Sequence, residues 1–137
     1  MMTIHYRPAT SKEHGIILAI AQALHVFQPS LEHKTWAAVY DGHLVGFISW
    51  LVVWDTADLL AIAILPAFQR QGIAQRLHQH SCPKALCTLE VRESNLAAKA
   101  LYQKLGYQYL TTRPDYYPPL PPQTSRESAL IYQYDNR

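Results

Sequence analysis

The sequence predicts an α/β fold, a mixed central sheet flanked by helices on both faces in a three-layer sandwich. Three observations lead there. Apolar residues switch between a period of two and a period near 3.6 in the order β-α-β-β-β-α-β-α-β-β. One strand, "LLAIAIL" from Leu59, is apolar on both faces and so belongs at the centre of its sheet. The 137 residues, 49% hydrophobic and 16% charged, suit a single folded domain spanning 1–137 with a core of its own.

Taken in order, "TIHYRPA" alternates weakly and reads as an edge strand that Pro8 stops. Thr10 and Glu13 have capping-box spacing, and Ile16, Ile17, Ile20, Ala21 and Leu24 recur at helical spacing. The pattern predicts a helix from about Ser11 to Val26, weakened by Gly15 and broken by "FQPS". "TWAAVYDGHLVGFISWLVVW" is a hairpin, because Asp41-Gly42 suits a tight turn at positive φ between apolar runs. A second turn at "DTAD" leads into the central strand. "GIAQRLHQHS" is a short helix with Ile73 and Leu77 on one face, closed by Pro83. "ALCTLEV" is a strand, and "NLAAKALYQKL" is a helix that Gly106 stops in C-cap position. "YQYLTT" and "ALIYQY" are the last strands. The intervening "PDYYPPLPPQTSRES" reads as a stiff loop, since five of the nine prolines fall between Pro114 and Pro122.

Composition excludes some functions. A net charge of +2 argues against a general nucleic-acid coat, so no direct nucleic-acid partner is expected. "MMTIHYRPATSKEH" holds no apolar signal core, and "LVGFISWLVVW" is too short to span a bilayer. A cytoplasmic protein without a membrane partner is expected, with Cys82 and Cys87 as free thiols. Oligomeric state is not legible.

"QRQGIA", Gln69 to Ala74, lies between the central strand and a helix. Helix starts leave N–H groups without partners and carry partial positive charge, so an anion suits them. Gly72 lets a ligand approach the backbone closely, Ala74 keeps the turn small, and Arg70 adds a charge. There is no GK[ST] and no G-x-G-x-x-G, which excludes a P-loop and a dinucleotide fingerprint. An ordinary strand-to-helix turn accounts for this stretch equally well.

Gln69-Arg70-Gln71-Gly72-Ile73-Ala74 resembles the [QR]-x-x-G-x-[GA] signature of the GCN-related N-acetyltransferase superfamily, GNAT. "LEVRESNLAAKALYQKLGY", Leu89 to Tyr107, is similar to the strand, helix and glycine stop of its RimI-type members, and the likeness continues through "RPDYYP" and "SRESALIY". RimI-type enzymes acetylate the N-terminal amine of a ribosomal protein. The resemblance implies a GNAT-type sandwich and acetyl-CoA as co-substrate. It further implies that the turn's amides hold the pyrophosphate and that the backbone of Ile62 and Ile64 pairs with the pantetheine arm. It makes Glu90 the general base, Tyr102 the general acid and Asn95 a contact to acetyl-CoA. Tyr116 and Tyr117 would border the groove for the acceptor, a protein or peptide N-terminus. Leu65 stands where the family commonly has an aspartate, and Pro114 where the RimI type has a basic residue.

Chemistry agrees with these roles. An α-amine has a pKa near 8, so only about a tenth is neutral at pH 7 and a base must take its proton. A phenol with pKa near 10 keeps a proton for the departing thiolate. Strand alternation puts Leu86, Thr88 and Glu90 on one face and Cys87, Leu89 and Val91 on the other. Asn95 and Tyr102, seven apart, share a helical face. Structural roles remain open for all three residues: a solvated charge for Glu90, a helix cap for Asn95, and packing for Tyr102. "HQHSCPKALC" matches no zinc pattern and reads as a helix end with solvent-facing histidines, so no metal is expected. Nothing places a base beside either thiol for an acyl-cysteine route. Two other functions stay open, a GNAT enzyme for a small amine or a lysine side chain and a CoA-binding module without turnover.

Overall fold

A computed structural model describes residues 3–137. Strands β1 (Ile4–Pro8), β2 (Lys34–Tyr40), β3 (His43–Val53), β4 (Thr56–Ile64), β5 (Leu86–Arg92), β6 (Gln108–Tyr117) and β7 (Glu127–Asp135) form one sheet. Their order across it is β1-β2-β3-β4-β5-β7-β6. β4 and β5 run parallel, and the other neighbours are antiparallel. The helices are α1 (His14–Ala23), α2 (Ile73–Ser81) and α3 (Leu96–Lys104).

Alternation along β2 and β3 sends side chains to opposite faces, and each face has its own core. Ile17, Ile20 and Ala21 of α1 pack on Ala37, Val39, Leu44 and Phe47. Ile73 and Leu77 of α2 pack with Ala38, Val45, Ile48 and Trp50, and Ala98 and Tyr102 from α3, with Leu105 at its C-cap, join that same side. Burying one Leu or Ile side chain is worth about 1.5–3 kcal/mol, so these two clusters hold the layers together. The expected three-layer mixed sheet is therefore present, with β4 fourth of seven strands.

Two irregularities in β4 shape the site. Ser49 pairs with Ala61 and Trp50 with Leu59, which leaves Leu60 as an extra, bulged residue. The bulge flips the faces: Ala57 and Leu59 point to the α2 side, whereas Ala61 and Ala63 point to the α1 side. β4 also pairs with β5 only from Thr56 to Asp58, against Leu86 to Thr88. Past Asp58 the two parallel strands part, and that flank of β4 has no strand partner.

The structure corrects three boundaries. The first helix does not reach Val26. A 3-10 turn, Ser11–Glu13, precedes α1, which ends at Ala23. His25 takes a left-handed φ of 56, and Val26 N–H reaches back to Ala21 O at 3.0 Å, a Schellman stop built without glycine. The second turn sits at Trp54 and Asp55 rather than "DTAD", with Trp54 at φ 57. The loop after Thr112 is shorter than "PDYYPPLPPQTSRES", because β6 runs on through Tyr117 and β7 begins at Glu127. Pro114 is tolerated since β6 is an edge strand and the register shifts between Arg113 and Tyr117. The Asp41-Gly42 turn has the expected positive φ at both residues, 50 and 77.

Candidate functional site

The strand-to-helix turn after β4 is a cradle. Arg70 and Gly72 both take left-handed φ, 63 and 82, a geometry that turns neighbouring N–H groups to one concave side. Gly72 is the N-cap of α2 and offers no side-chain cap, so the first N–H groups of that helix stay free. Gln69 Nε2 donates to Ile64 O at 2.9 Å and ties the turn to the end of β4. A Cβ on Gly72 would meet nothing within 4 Å, so the space above it is open.

The cradle opens into a cavity of 770 Å³ that runs along the unpaired flank of β4. Ile62, Ile64, Gln69, Arg70, Gly72, Ile73, Ala74 and Asn95 all line it, eight of the nine residues expected to hold the donor. The ninth, Gln71, turns away and donates from Nε2 to Ala67 O at 3.4 Å. Leu24, Val26, Phe68 and Leu101 add apolar wall. Among the described residues Arg70 and Lys104 are the charged ones lining the cavity and no carboxylate lines it, which favours a polyanionic ligand with an apolar arm. Acetyl-CoA fits that description. Asn95 caps α3 with Oδ1, which accepts from Ala98 N–H at 3.1 Å, and the same residue lines the cavity.

Glu90 lies on β5 two residues past Thr88, about 7 Å beyond the last β4–β5 pair. The burial of β5 alternates as expected, with Cys87, Leu89 and Val91 buried and Glu90 exposed. Its Oε1 meets Arg113 Nη1 of β6 at 3.1 Å. Tyr102 packs into the α2-side core, with its ring 6.0 Å from that of Tyr107. Burial pushes its phenol up to about 12, helped by the Tyr117 phenol nearby. Burial likewise raises Tyr117, and the Glu90 charge adds to it. Tyr117 thus lies between the influence of Glu90, which acts on it, and Tyr102, on which it acts, although none of the three lines the cavity itself.

Tyr116 and Tyr117 meet edge to face, with ring centres 5.0 Å apart. The Arg113 guanidinium lies 5.6 Å from the Tyr116 ring centre, and that of Arg92 lies 4.5 Å above Tyr117. Arg92 also binds Glu127 at 3.1 Å, and Arg126 donates to Asp115 O and Tyr116 O at 2.9 and 2.8 Å. Sequence reasoning missed these braces, and Lys104 and Leu101 with them. Ala97, Leu101 and Lys104, spaced i, i+4 and i+7, marked a face of α3 that could have been read as a wall.

One expectation fails. His78 does not face solvent: it is 4% exposed and its Nε2 lies 2.9 Å from the Tyr107 hydroxyl. Its ring fits between Trp50, Tyr107 and Tyr134. His80 is the exposed one and stacks on Tyr6 at 4.9 Å. Among the described residues no three His, Cys, Asp or Glu side chains converge as a metal site would require.

Comparison with known proteins places this geometry. The model of the acetyltransferase (GNAT) family matches residues 4–107. The chain is 40% identical over 97 residues to the [ribosomal protein bS18]-alanine N-acetyltransferase of Escherichia coli (strain K12), a match covering 66% of this chain and 64% of that relative. The crystal structure of the ribosomal-protein-S18-alanine N-acetyltransferase from Escherichia coli superposes with a TM-score of 0.81 at 30% identity, over 96% of this chain and 92% of that one. Arabidopsis thaliana Naa50, solved with the bisubstrate analogue CoA-Ac-MVNAL, shares the fold alone, with a TM-score of 0.80 at 16% identity over 96% of this chain and 97% of that one. The forked sheet, the glycine cradle and the matching family model make one conclusion: the chain belongs to the acetyltransferase (GNAT) family.

Proposed function

We propose that the chain transfers the acetyl group of acetyl-CoA to the α-amine of a protein N-terminus, with an N-terminal alanine of a ribosomal protein as the acceptor. The observation that carries this reading is the fork. The opening past Asp58 holds the anion cradle and its cavity, and Glu90 stands on β5 about 7 Å beyond the last β4–β5 pair. The likeness to the bS18-alanine enzyme at 40% identity supports the acceptor.

The diphosphate sits on the N–H groups from Arg70 to Ala74, with Arg70 and Lys104 as counter-charges. The pantetheine arm takes up the backbone groups that β4 leaves unpaired beside Ile62 and Ile64, as an added strand would. Glu90 accepts a proton from the acceptor's ammonium, directly or through a water. The neutral amine attacks the thioester carbonyl, the C–N bond forms, and the C–S bond breaks. Tyr102, protonated throughout the neutral range, supplies the proton for the leaving thiolate and is restored by the proton that the nitrogen sheds as the amide forms. Tyr116 and Tyr117 receive the first residues of the peptide, combining apolar contact with hydrogen bonding. The setting is cytoplasmic, where ribosomal proteins are made.

Mass spectrometry of protein N-termini from cells with and without the gene tests this. The expected result is loss of acetylation at a ribosomal-protein α-amine in cells that lack it. Unchanged N-termini together with lost acetylation of lysine or of a polyamine would replace the acceptor while keeping the donor.

A further inference from the structure

Cys82 and Cys87 take no part in the chemistry above, yet their sulfurs are 3.6 Å apart. Cys82 is the C-cap of α2, half-buried, and its N–H donates to His78 O at 2.9 Å. Cys87 is fully buried in β5, between Ala57 of β4 and Tyr134 of β7. The link Pro83-Lys84-Ala85 is held in place. Asn136 Nδ2 donates to Pro83 O at 2.8 Å and to Cys82 O at 3.4 Å, and Asn136 N–H donates to Ala85 O at 3.0 Å. The two sulfurs therefore meet because two packed elements hold them together.

A disulfide needs a sulfur separation of about 2.05 Å, so closure takes roughly 1.5 Å. Access is unequal, since solvent reaches Cys82 and does not reach Cys87. Reactivity is unequal in the same sense. The hydrogen bond from Cys87, with His78 beside it, brings the Cys82 thiol down to about 5 against the effect of burial. That same contact and burial push the Cys87 thiol up, so it keeps its proton. An accessible thiolate touching a buried thiol has the arrangement of an attacking and a resolving cysteine.

We propose that Cys82 and Cys87 form a reversible thiol–disulfide modification site, in which a hydroperoxide oxidises Cys82 and Cys87 resolves the product. The Cys82 thiolate attacks the outer oxygen of the hydroperoxide. The S–O bond forms, the O–O bond breaks, and the leaving oxygen takes a proton to depart as alcohol or water. Cys87 then attacks the sulfenic sulfur. The S–S bond forms, the S–O bond breaks, and hydroxide leaves with the Cys87 proton as one molecule of water. Each sulfur gives up one electron, and the two peroxide oxygens take both. The bridge ties the end of α2 to β5 at the closed base of the fork, and a dithiol reductant reverses it.

The test treats the purified full chain with hydrogen peroxide, then denatures it, alkylates it and maps the peptides by mass spectrometry. The wild type is expected to lose alkylation at both cysteines, to remain monomeric on a non-reducing gel, and to recover both thiols with dithiothreitol. In Cys87→Ser, Cys82 is expected to yield a sulfenic acid that dimedone traps. In Cys82→Ser, Cys87 stays alkylatable. Three results overturn the proposal: a wild type that climbs to Cys82 sulfinic acid with Cys87 still free, equal oxidation of Cys87 in Cys82→Ser, or bridges only between chains. The wild-type reading decides the matter even where a variant folds poorly.

Discussion

Asn95→Asp separates the helix cap from the acetyl-CoA contact proposed for the same side chain. Asn95 Oδ1 caps α3 through Ala98 N–H at 3.1 Å, and Asn95 lines the cavity, where Nδ2 is proposed to donate to acetyl-CoA. Aspartate caps as well as asparagine does, and its charge at a helix start adds a further ~0.3–1 kcal/mol. Folding stability is therefore expected to hold or rise slightly. The donor is lost, however, because both carboxylate oxygens only accept. A missing hydrogen bond to acetyl-CoA costs about 1 kcal/mol against a neutral acceptor and up to about 3 kcal/mol against a charged one. The KM for acetyl-CoA should then rise roughly 5- to 150-fold, with a smaller effect on kcat. Asn95→Ala loses the cap as well, about 1 kcal/mol of stability, with a similar rise in KM. Urea denaturation reads the first quantity, and initial rates of thiol release over a range of acetyl-CoA read the second. An Asp variant of wild-type KM beside a destabilised Ala variant would reduce Asn95 to a cap and remove it from the binding site.

Glu90→Gln and Tyr102→Phe should each lower kcat by roughly one to four orders of magnitude, read by thiol release, and near-wild-type turnover in both would end the acid–base scheme. With the Tyr102 phenol at about 12, its ionisation cannot cause a fall in kcat in the neutral range; a basic limb near neutrality that disappears in Tyr102→Phe would contradict its burial. Gly72→Ala forces a side chain to φ +82, which costs about 1–2 kcal/mol, and sets a methyl in the open cradle. Both the urea midpoint and the affinity for acetyl-CoA, measured by calorimetry, should fall. Hydrogen bonds from Arg7, above all, lower Glu13 from 4.5 to about 2. The stabilisation from that pair is present above pH 4.5 and is lost as pH falls through about 2, so Glu13→Gln should flatten the acid slope of the urea midpoint over that window.

The local parts of the fold were legible because their signals are local. Asp41-Gly42 supplied its own turn, Gly106 its own helix stop, and the alternation of "ALCTLEV" its own burial pattern. What the sequence hid depends on distant partners. The Leu60 bulge exists only relative to β3, and the fork exists only because β5 leaves β4 after Thr88. His78 looked like a surface histidine because its partner, Tyr107, lies 29 residues on. The extension of β6 through Pro114 needs an edge position, which strand order decides. At the site, the glycine turn and the β5 carboxylate were readable as chemistry. Their placement on two strands that part after Asp58 and Thr88 was not, since that parting is tertiary. The ion pair between Arg113 and Glu90 likewise spans two strands that are not adjacent in the sheet.

The central claim is that the fork joins an acetyl-CoA cradle to a base that serves an α-amine. The most direct measurement incubates the purified chain with acetyl-CoA and two peptides that carry the N-terminal sequence of a ribosomal protein beginning with alanine and contain a lysine. One peptide has a free α-amine and the other a blocked one, and tandem mass spectrometry locates the acetyl group. The account predicts acetylation on the α-nitrogen of the free peptide and none on the blocked one. Acetyl on the lysine of both peptides, or acetyl-CoA bound tightly with no transfer to either, would contradict it.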